Sequence, residues 1–307
     1  WFRQGSHLLR VNILPKELRQ PDALPYSTRV ESKESLTGKL SLDACWYRKV
    51  TDPKTGETDI EDEWPPKDAI LDLCKNPDPR LPELDAVLTS PFFTTTRLVV
   101  EEGYHDDEKV LLVPVLVVPP DSINRHQIVK PAPEDVAEAV RFLRVELLGD
   151  FPLANEASCA HATGAMLVPM TRRIHHGSPT PLIAICAKMP GAGKTLLANS
   201  ISMVATGRLT PPTTLSFGGA FNDAETRRTL NSVLSETPEV VLLDNIREHE
   251  PIDAPGFAAV LTTRSWSDRK VGTSTAPEVP VNCLWMLTAN SPVFSPEVAR
   301  RTLLITL

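Results

Sequence analysis

An apolar run of strand length, Pro181-Leu-Ile-Ala-Ile-Cys-Ala187, runs straight into Lys188-Met-Pro-Gly-Ala-Gly-Lys-Thr195, and a helical pattern follows from Gly193 to about Thr206. A glycine-rich turn between a buried strand and a helix constrains the fold more than any other feature of the chain. The pattern G-x-x-x-x-G-K-[ST] marks a phosphate-binding loop, and Gly193-Lys194-Thr195 supply its closing end. Gly191 and Gly193 let the backbone turn its N–H groups inward as an anion cradle, with no Cβ in the way. Lys194 offers a cation for β and γ phosphates, and the Thr195 hydroxyl can bind Mg²⁺. The helix that begins here points the positive end of its dipole at the same place. Pro190, Gly191, Ala192, Gly193, Lys194, Thr195 and Leu196 are the expected nucleotide contacts. Lys188 stands where the pattern has its first glycine; the loop is only beginning to bend there, so a side chain can point to solvent.

Downstream the chain keeps alternating. A helix is expected over Ala224 to about Ser235, a buried strand at 239–244 (EVVLLD), a short helix over Pro255 to about Thr263, and strands at 283–290 (CLWMLTAN) and 302–307 (TLLITL). Apolar strands separated by helices predict an α/β fold, a parallel sheet covered by helices on both faces. The run at 239–244 ends in Asp244, placed to hold Mg²⁺ at the sheet's C-terminal edge, as Thr195 is from the loop. Asn245 follows, where an acid would activate water; an amide cannot accept that proton. Either Asn245 only orients the water or a carboxylate from elsewhere serves, Glu225 being the first candidate against the plainer reading of a solvated surface acid. Asn290 ends its strand at the same sheet edge, and Arg300-Arg301 precede the last strand.

Residues 1–130 read as short strands and turns, a smaller strand-rich region without the spacing of a catalytic constellation. Within it 96–118 resembles a hairpin with Gly103 and the polar 105–108 near its turn, and the charged, proline-containing 51–68 reads as a surface loop. From Pro133 the apolar Val136, Val140, Leu143 and Leu147 recur at helical spacing, so 131–180 is expected to be a helical connector to the 181–307 core. The five cysteines are scattered and read as reduced cytosolic residues, and His175-His176 reads as a polar loop rather than a metal site. The longest apolar run, Val110–Val118, is broken by Pro114 and falls short of the ~20 residues a membrane span needs. The chain begins at Trp1 and stops directly after a strand-like run, so it reads as a fragment of something longer. The net charge is −7, yet from Pro181 to Leu307 there are 11 Lys+Arg against 11 Asp+Glu. Any nucleic-acid contact therefore rests on a local basic element rather than a global field.

Taken together, PGAGKT, VVLLDN, LTTRSWSDRKVG, WMLTAN and EVARRTLLITL resemble the ATPase domain of primase-helicase proteins carried by phages and integrated mobile elements. That group belongs to the AAA+ class of P-loop NTPases and is similar to superfamily-three replicative helicases. The resemblance covers about 130–307 and implies an ATP-driven ring, a hexamer of one chain, that moves along single-stranded or forked DNA in the cytoplasm of a bacterial host. A primase or polymerase is the implied further partner; residues 1–130 show no recognisable primase metal site. By position, Lys194 and Thr195 match the first nucleotide motif, Asp244-Asn245 the second, Asn290 the sensor asparagine, and Arg301 or Arg300 a finger reaching a neighbouring subunit's nucleotide. Relatives often have Asp where this chain has Glu297. In superfamily-three helicases a hairpin before the sensor strand enters the ring pore with basic residues; here 268–282 takes that place, and Arg269 and Lys270 would meet DNA phosphates without reading bases. The same motifs also suit an ATP-driven loader or remodeller of proteins, or a nucleotide-binding switch with little hydrolysis.

Overall fold

The structure, a computed structural model, describes residues 1–4, 7–51, 53–54, 56–115, 131–175, 177–215, 217, 220–246, 251–267 and 278–307. The chain divides into two compact units, Trp1–Asn12 with Thr28–Leu84, and Ile13–Ser27 with Asp85–Leu307. No helix among the described residues is long and apolar enough to cross a membrane.

In the first unit, Phe2–Gln4 pairs antiparallel with the strand that begins at His7, Phe2 opposite Leu9. Two helices, Lys33–Asp43 and Lys67–Lys75, pack Leu36 and Ile70 against Leu8. The first begins where the Ser32 hydroxyl accepts the Ser35 N–H at 3.2 Å, an N-cap. The expected surface loop at 51–68 is in part a hairpin: Tyr47–Thr51 pairs antiparallel with Thr58–Asp62, the whole second strand exposed. Its cohesion comes from the backbone ladder and from pairs such as Arg48–Glu61, which leave no hydrophobic signature in the sequence.

The second unit opens with strands Ala86–Leu88, Gly103–His105 and Val110–Leu112. The last two form the expected hairpin, Val110 opposite His105, and Val110–Leu112 also runs parallel to Ala86–Leu88. Their inward residues join Phe92 and Val99 in a small core. A helix, Pro133–Arg141, then widens into a π-turn over Phe142–Leu147 and stops at Gly149, where a Cβ would lie 2.2 Å from the Val145 carbonyl oxygen. Only glycine fits there.

The rest of the unit is built on one sheet. Its strands in chain order are β1 (Leu182–Ala187), β2 (Pro212–Thr213), β3 (Val240–Ile246), β4 (Leu284–Asn290) and β5 (Thr302–Thr306). They lie in the order β2-β3-β4-β1-β5, every neighbouring pair parallel. Helices α1 (Glu156–Thr171) and α2 (Lys194–Thr206) cover one face; α3 (Ala220–Ser235) and α4 (Pro255–Val260) cover the other. Strand alternation separates the two cores. Ile183, Ile185, Val240, Leu242, Leu284 and Met286 meet α1 and α2, while Leu182, Ala184, Val241, Leu243, Trp285 and Leu287 meet α3 and α4. On the second face the rings of Phe217, Phe257 and Trp285 stack edge-on, their centroids 5.5 and 5.7 Å apart in turn. Phe257 is fully enclosed, so its truncation to Ala would cost about 3–5 kcal/mol.

The order decides where a ligand can sit. From β1 the chain crosses to the far edge, returns through β3 and β4 to β1's side, and then passes to β5 on β1's other flank. In open parallel sheets the crevice beyond the carboxyl ends of the strands, at such a reversal, is the usual binding place. The glycine-rich loop leaves β1 there.

Candidate functional site

Between the end of β1 and the start of α2, Gly191 and Gly193 take left-handed backbone conformations, φ +77° and +86°. An L side chain in that region costs roughly 1–2 kcal/mol. At Gly191 the space around a Cβ is open, so the requirement is conformational alone; at Gly193 a Cβ would lie 3.9 Å from the Phe151 ring. Gly193 is the N-cap of α2, and the first helical bond, Leu197 N–H to Gly193 O at 2.9 Å, leaves the loop-side amides of the first turn outside the helical ladder. Lys188, Met189, Pro190 and Gly191 are exposed, as are Thr195 and Leu196.

Three polar side chains from the sheet, Asn290, Asp244 and Thr288, gather at this loop. The Lys194 ammonium donates to Asn290 Oδ1 at 2.6 Å and to the Met189 carbonyl at 3.4 Å. Thr195 Oγ1 donates to Asp244 Oδ1 at 3.2 Å, and the Thr288 hydroxyl donates to the same oxygen. The sheet explains the meeting. β3, β4 and β1 are neighbours, and Asp244, Thr288 and Asn290 continue the register whose earlier members, Val240, Leu242, Leu284 and Met286, face α2. The β3–β4 register shifts between Leu243 and Ile246, a bulge at the residues where β3 turns from apolar to polar.

Lys194, Thr195, Asp244 and Asn290, singled out from separate stretches of sequence, are thus brought together. Thr288 is the member that sequence reasoning missed. Its signal was present: on the α2-facing positions 284, 286, 288 and 290, a hydroxyl interrupts an otherwise apolar series before the terminal amide. Cys186, at the end of β1, is an inert neighbour; burial pushes its thiol up to about 11 although Lys194 pulls the other way.

The remaining candidates lie elsewhere. Glu225 is exposed on α3 and pairs with Arg228 at 3.0 Å, with no contact to the cluster among the described residues. Arg300 and Arg301 follow a short helix, α5 (Pro296–Ala299), and both turn onto Glu297 of their own chain. Arg301 reaches the Glu297 carboxylate at 2.9 Å, and its hydrogen bond holds that carboxyl below the usual carboxylate range, Arg300 adding to the effect. The side chain of Asn245 lies outside the described residues, and so do Arg269 and Lys270. The strands flanking the segment that carries those two basic residues are described: Ser265–Trp266 pairs antiparallel with Val279–Pro280. Arg227 of α3 lies over the Trp266 ring at 5.5 Å and bonds Asp223 at 2.8 Å, and Asp223 also accepts the Gly256 N–H at 2.8 Å. Burial works to raise the Asp223 carboxyl, but these two hydrogen bonds prevail and hold it low.

Chemically, the site offers glycine-rich backbone and a lysine to an anion, and hydroxyl and carboxylate oxygens to a cation. Thr195 and Asp244 are hard oxygen donors of the kind Mg²⁺ prefers, and so few protein ligands suit an ion that keeps several waters or phosphate oxygens. Among the described residues no group of three or more His, Cys, Asp or Glu is placed to hold a metal ion.

No protein-family model matches the sequence, and no curated protein matches it. Among solved structures, the chain is similar to the A-form apo structure of the NrS-1 C-terminal region, residues 305–718. The TM-score is 0.36 at 14% identity, over 90% of this chain and 61% of that one, a likeness too slight to assign a fold.

Proposed function

We propose that residues 181–307 are a P-loop NTPase core of AAA+ type that binds and hydrolyses MgATP and drives a ring of identical chains along DNA. The observation that carries this reading is the convergence of Lys194, Thr195, Asp244 and Asn290 on a loop with two left-handed glycines, at the carboxyl ends of β1, β3 and β4. In this reading the loop amides and Lys194 hold the β and γ phosphates, and Thr195 with Asp244 holds Mg²⁺. The ion supplies neutralisation of the charge that develops on the transferred phosphoryl group. Lys194 and Asn290 then act as a pair beside the γ-phosphate, Asn290 as the sensor. Arg300 and Arg301 make no contact with their own chain's cluster among the described residues, as residues serving a neighbouring subunit would require. A finger of this kind is worth about 10³–10⁵ in rate in related phosphoryl-transfer enzymes.

A second reading rests on Asn245. With an amide after Asp244, and with Glu225 paired to Arg228, hydrolysis could be negligible and the protein a nucleotide-dependent switch. A protein remodeller on the same core is the third. Steady-state ATP hydrolysis with and without single-stranded DNA separates them. Strong stimulation by DNA supports the motor, turnover indifferent to DNA the remodeller, and binding without turnover the switch.

A further inference from the structure

Along its α2-facing side β4 presents Leu284, Met286, Thr288 and Asn290. Thr288 is only 1% exposed, as enclosed as the apolar residues before it, yet it carries a hydroxyl. Valine has nearly the same shape and would suit that environment without the cost of burying a polar group. The hydroxyl bonds Asp244 Oδ1, the oxygen that also accepts from Thr195 at 3.2 Å. Two hydroxyls therefore converge on one carboxylate oxygen, and Oδ2 has no protein donor among the described residues.

The two hydroxyls are not equivalent. Thr195 is exposed at the start of α2 and is free to exchange Asp244 for a cation, whereas Thr288 is enclosed within the sheet and keeps its partner. We propose that Thr288 is a positioning residue for a divalent cation: by holding Asp244 Oδ1 it fixes the orientation in which the carboxylate would meet the metal. This rests on the MgATP reading above. Groups that orient a ligating side chain typically contribute 10–100-fold to metal affinity.

The test uses the full chain with ADP as ligand, titrated by calorimetry over a series of Mg²⁺ concentrations and again in EDTA, together with Mn²⁺ binding followed by electron paramagnetic resonance. Thr288→Val is expected to raise the Mg²⁺ needed for half-maximal ADP binding about 10–100-fold, and to weaken Mn²⁺ in parallel, with metal-free ADP binding unchanged. Thr288→Ser, which keeps the hydroxyl and loses the methyl, is expected to restore the metal dependence. A Thr288→Val protein with wild-type metal dependence, or a serine variant as impaired as the valine one, overturns the proposal. If thermal melting shows Thr288→Val unfolded, Thr288→Cys, of similar size with a weak donor, is held to the same expectation. Wild-type protein that is folded and shows no Mg²⁺-dependent ADP binding overturns the nucleotide reading itself, whatever the variants do.

Discussion

Glu239, immediately before β3, is a buried carboxylate whose proton should govern stability near neutral pH. It is 3% exposed, and burial raises its carboxyl from 4.5 to about 7 against the opposing pull of Arg208 and of two hydrogen bonds from Thr89. Those bonds come from the Thr89 N–H at 2.8 Å and from the Thr89 hydroxyl, which also lies 2.9 Å from the Thr206 carbonyl. One hydroxyl proton cannot serve both acceptors. A protonated Glu239 resolves the conflict by donating to Thr89, which then donates to Thr206. Tyr26 also faces it, itself pushed far above its ordinary range by burial, and Arg172 and Arg173 line the same cavity. The folded protein binds this proton more tightly than the unfolded chain, so the contribution is complete below about pH 4.5 and is lost as pH rises through about 7. A shift from 4.5 to about 7, at 1.36 kcal/mol per unit, makes the native state about 3 kcal/mol less stable at about pH 8.5 than at about pH 4.5 on this account alone. Glu239→Gln keeps the acceptor for Thr89 and cannot ionise. Urea unfolding of both proteins from about pH 5 to 8.5 is the assay, because their difference cancels every other titrating group. The variant's stability relative to the wild type should rise with pH, by about 3 kcal/mol up to pH 8.5, with unchanged m. Curves that run parallel across the whole range would refute the reasoning.

Arg301→Ala should abolish ATP turnover alone yet be rescued in part when mixed with Lys194→Ala protein, since each variant supplies what the other lacks; absence of complementation in mixed assemblies counts against a finger acting between subunits. Gly149→Ala should lower the unfolding temperature markedly, because its Cβ would meet the Val145 carbonyl oxygen at 2.2 Å and the π-turn must shift to admit it; a melting curve indistinguishable from wild type would show that this turn gives way freely.

Much of the sheet was legible because parallel strands buried on both faces are mostly apolar, as 181–187, 239–244 and 283–290 are, and the edge strand at 302–307 keeps an apolar run although Leu303 and Leu304 are exposed. The glycine-rich loop was legible for a related reason: few residue types tolerate its backbone. β2 was not, since a two-residue edge strand at Pro212–Thr213 has no run to display. The strand order was not either; sequence gives the succession of strands, and only the crossings bring Asn290 beside Lys194 while carrying Glu225 to the other face. The helix Lys33–Asp43 escaped notice because its buried contact is made by Leu36, with Leu40 beside it, around the helix-weakening Gly38. The hairpin Tyr47–Asp62 has almost no buried side chain to set an alternation. Thr288 was hidden in plain view, polar but within a strand recognised by its hydrophobicity.

Calorimetric titration of MgATP into the folded chain, with Lys194→Ala alongside, tests the central claim most directly. The account predicts saturable one-site binding that requires Mg²⁺ for full affinity and disappears in the lysine variant. A folded wild-type protein that takes up no MgATP, or a Lys194→Ala variant that binds it as well as the wild type, would contradict it.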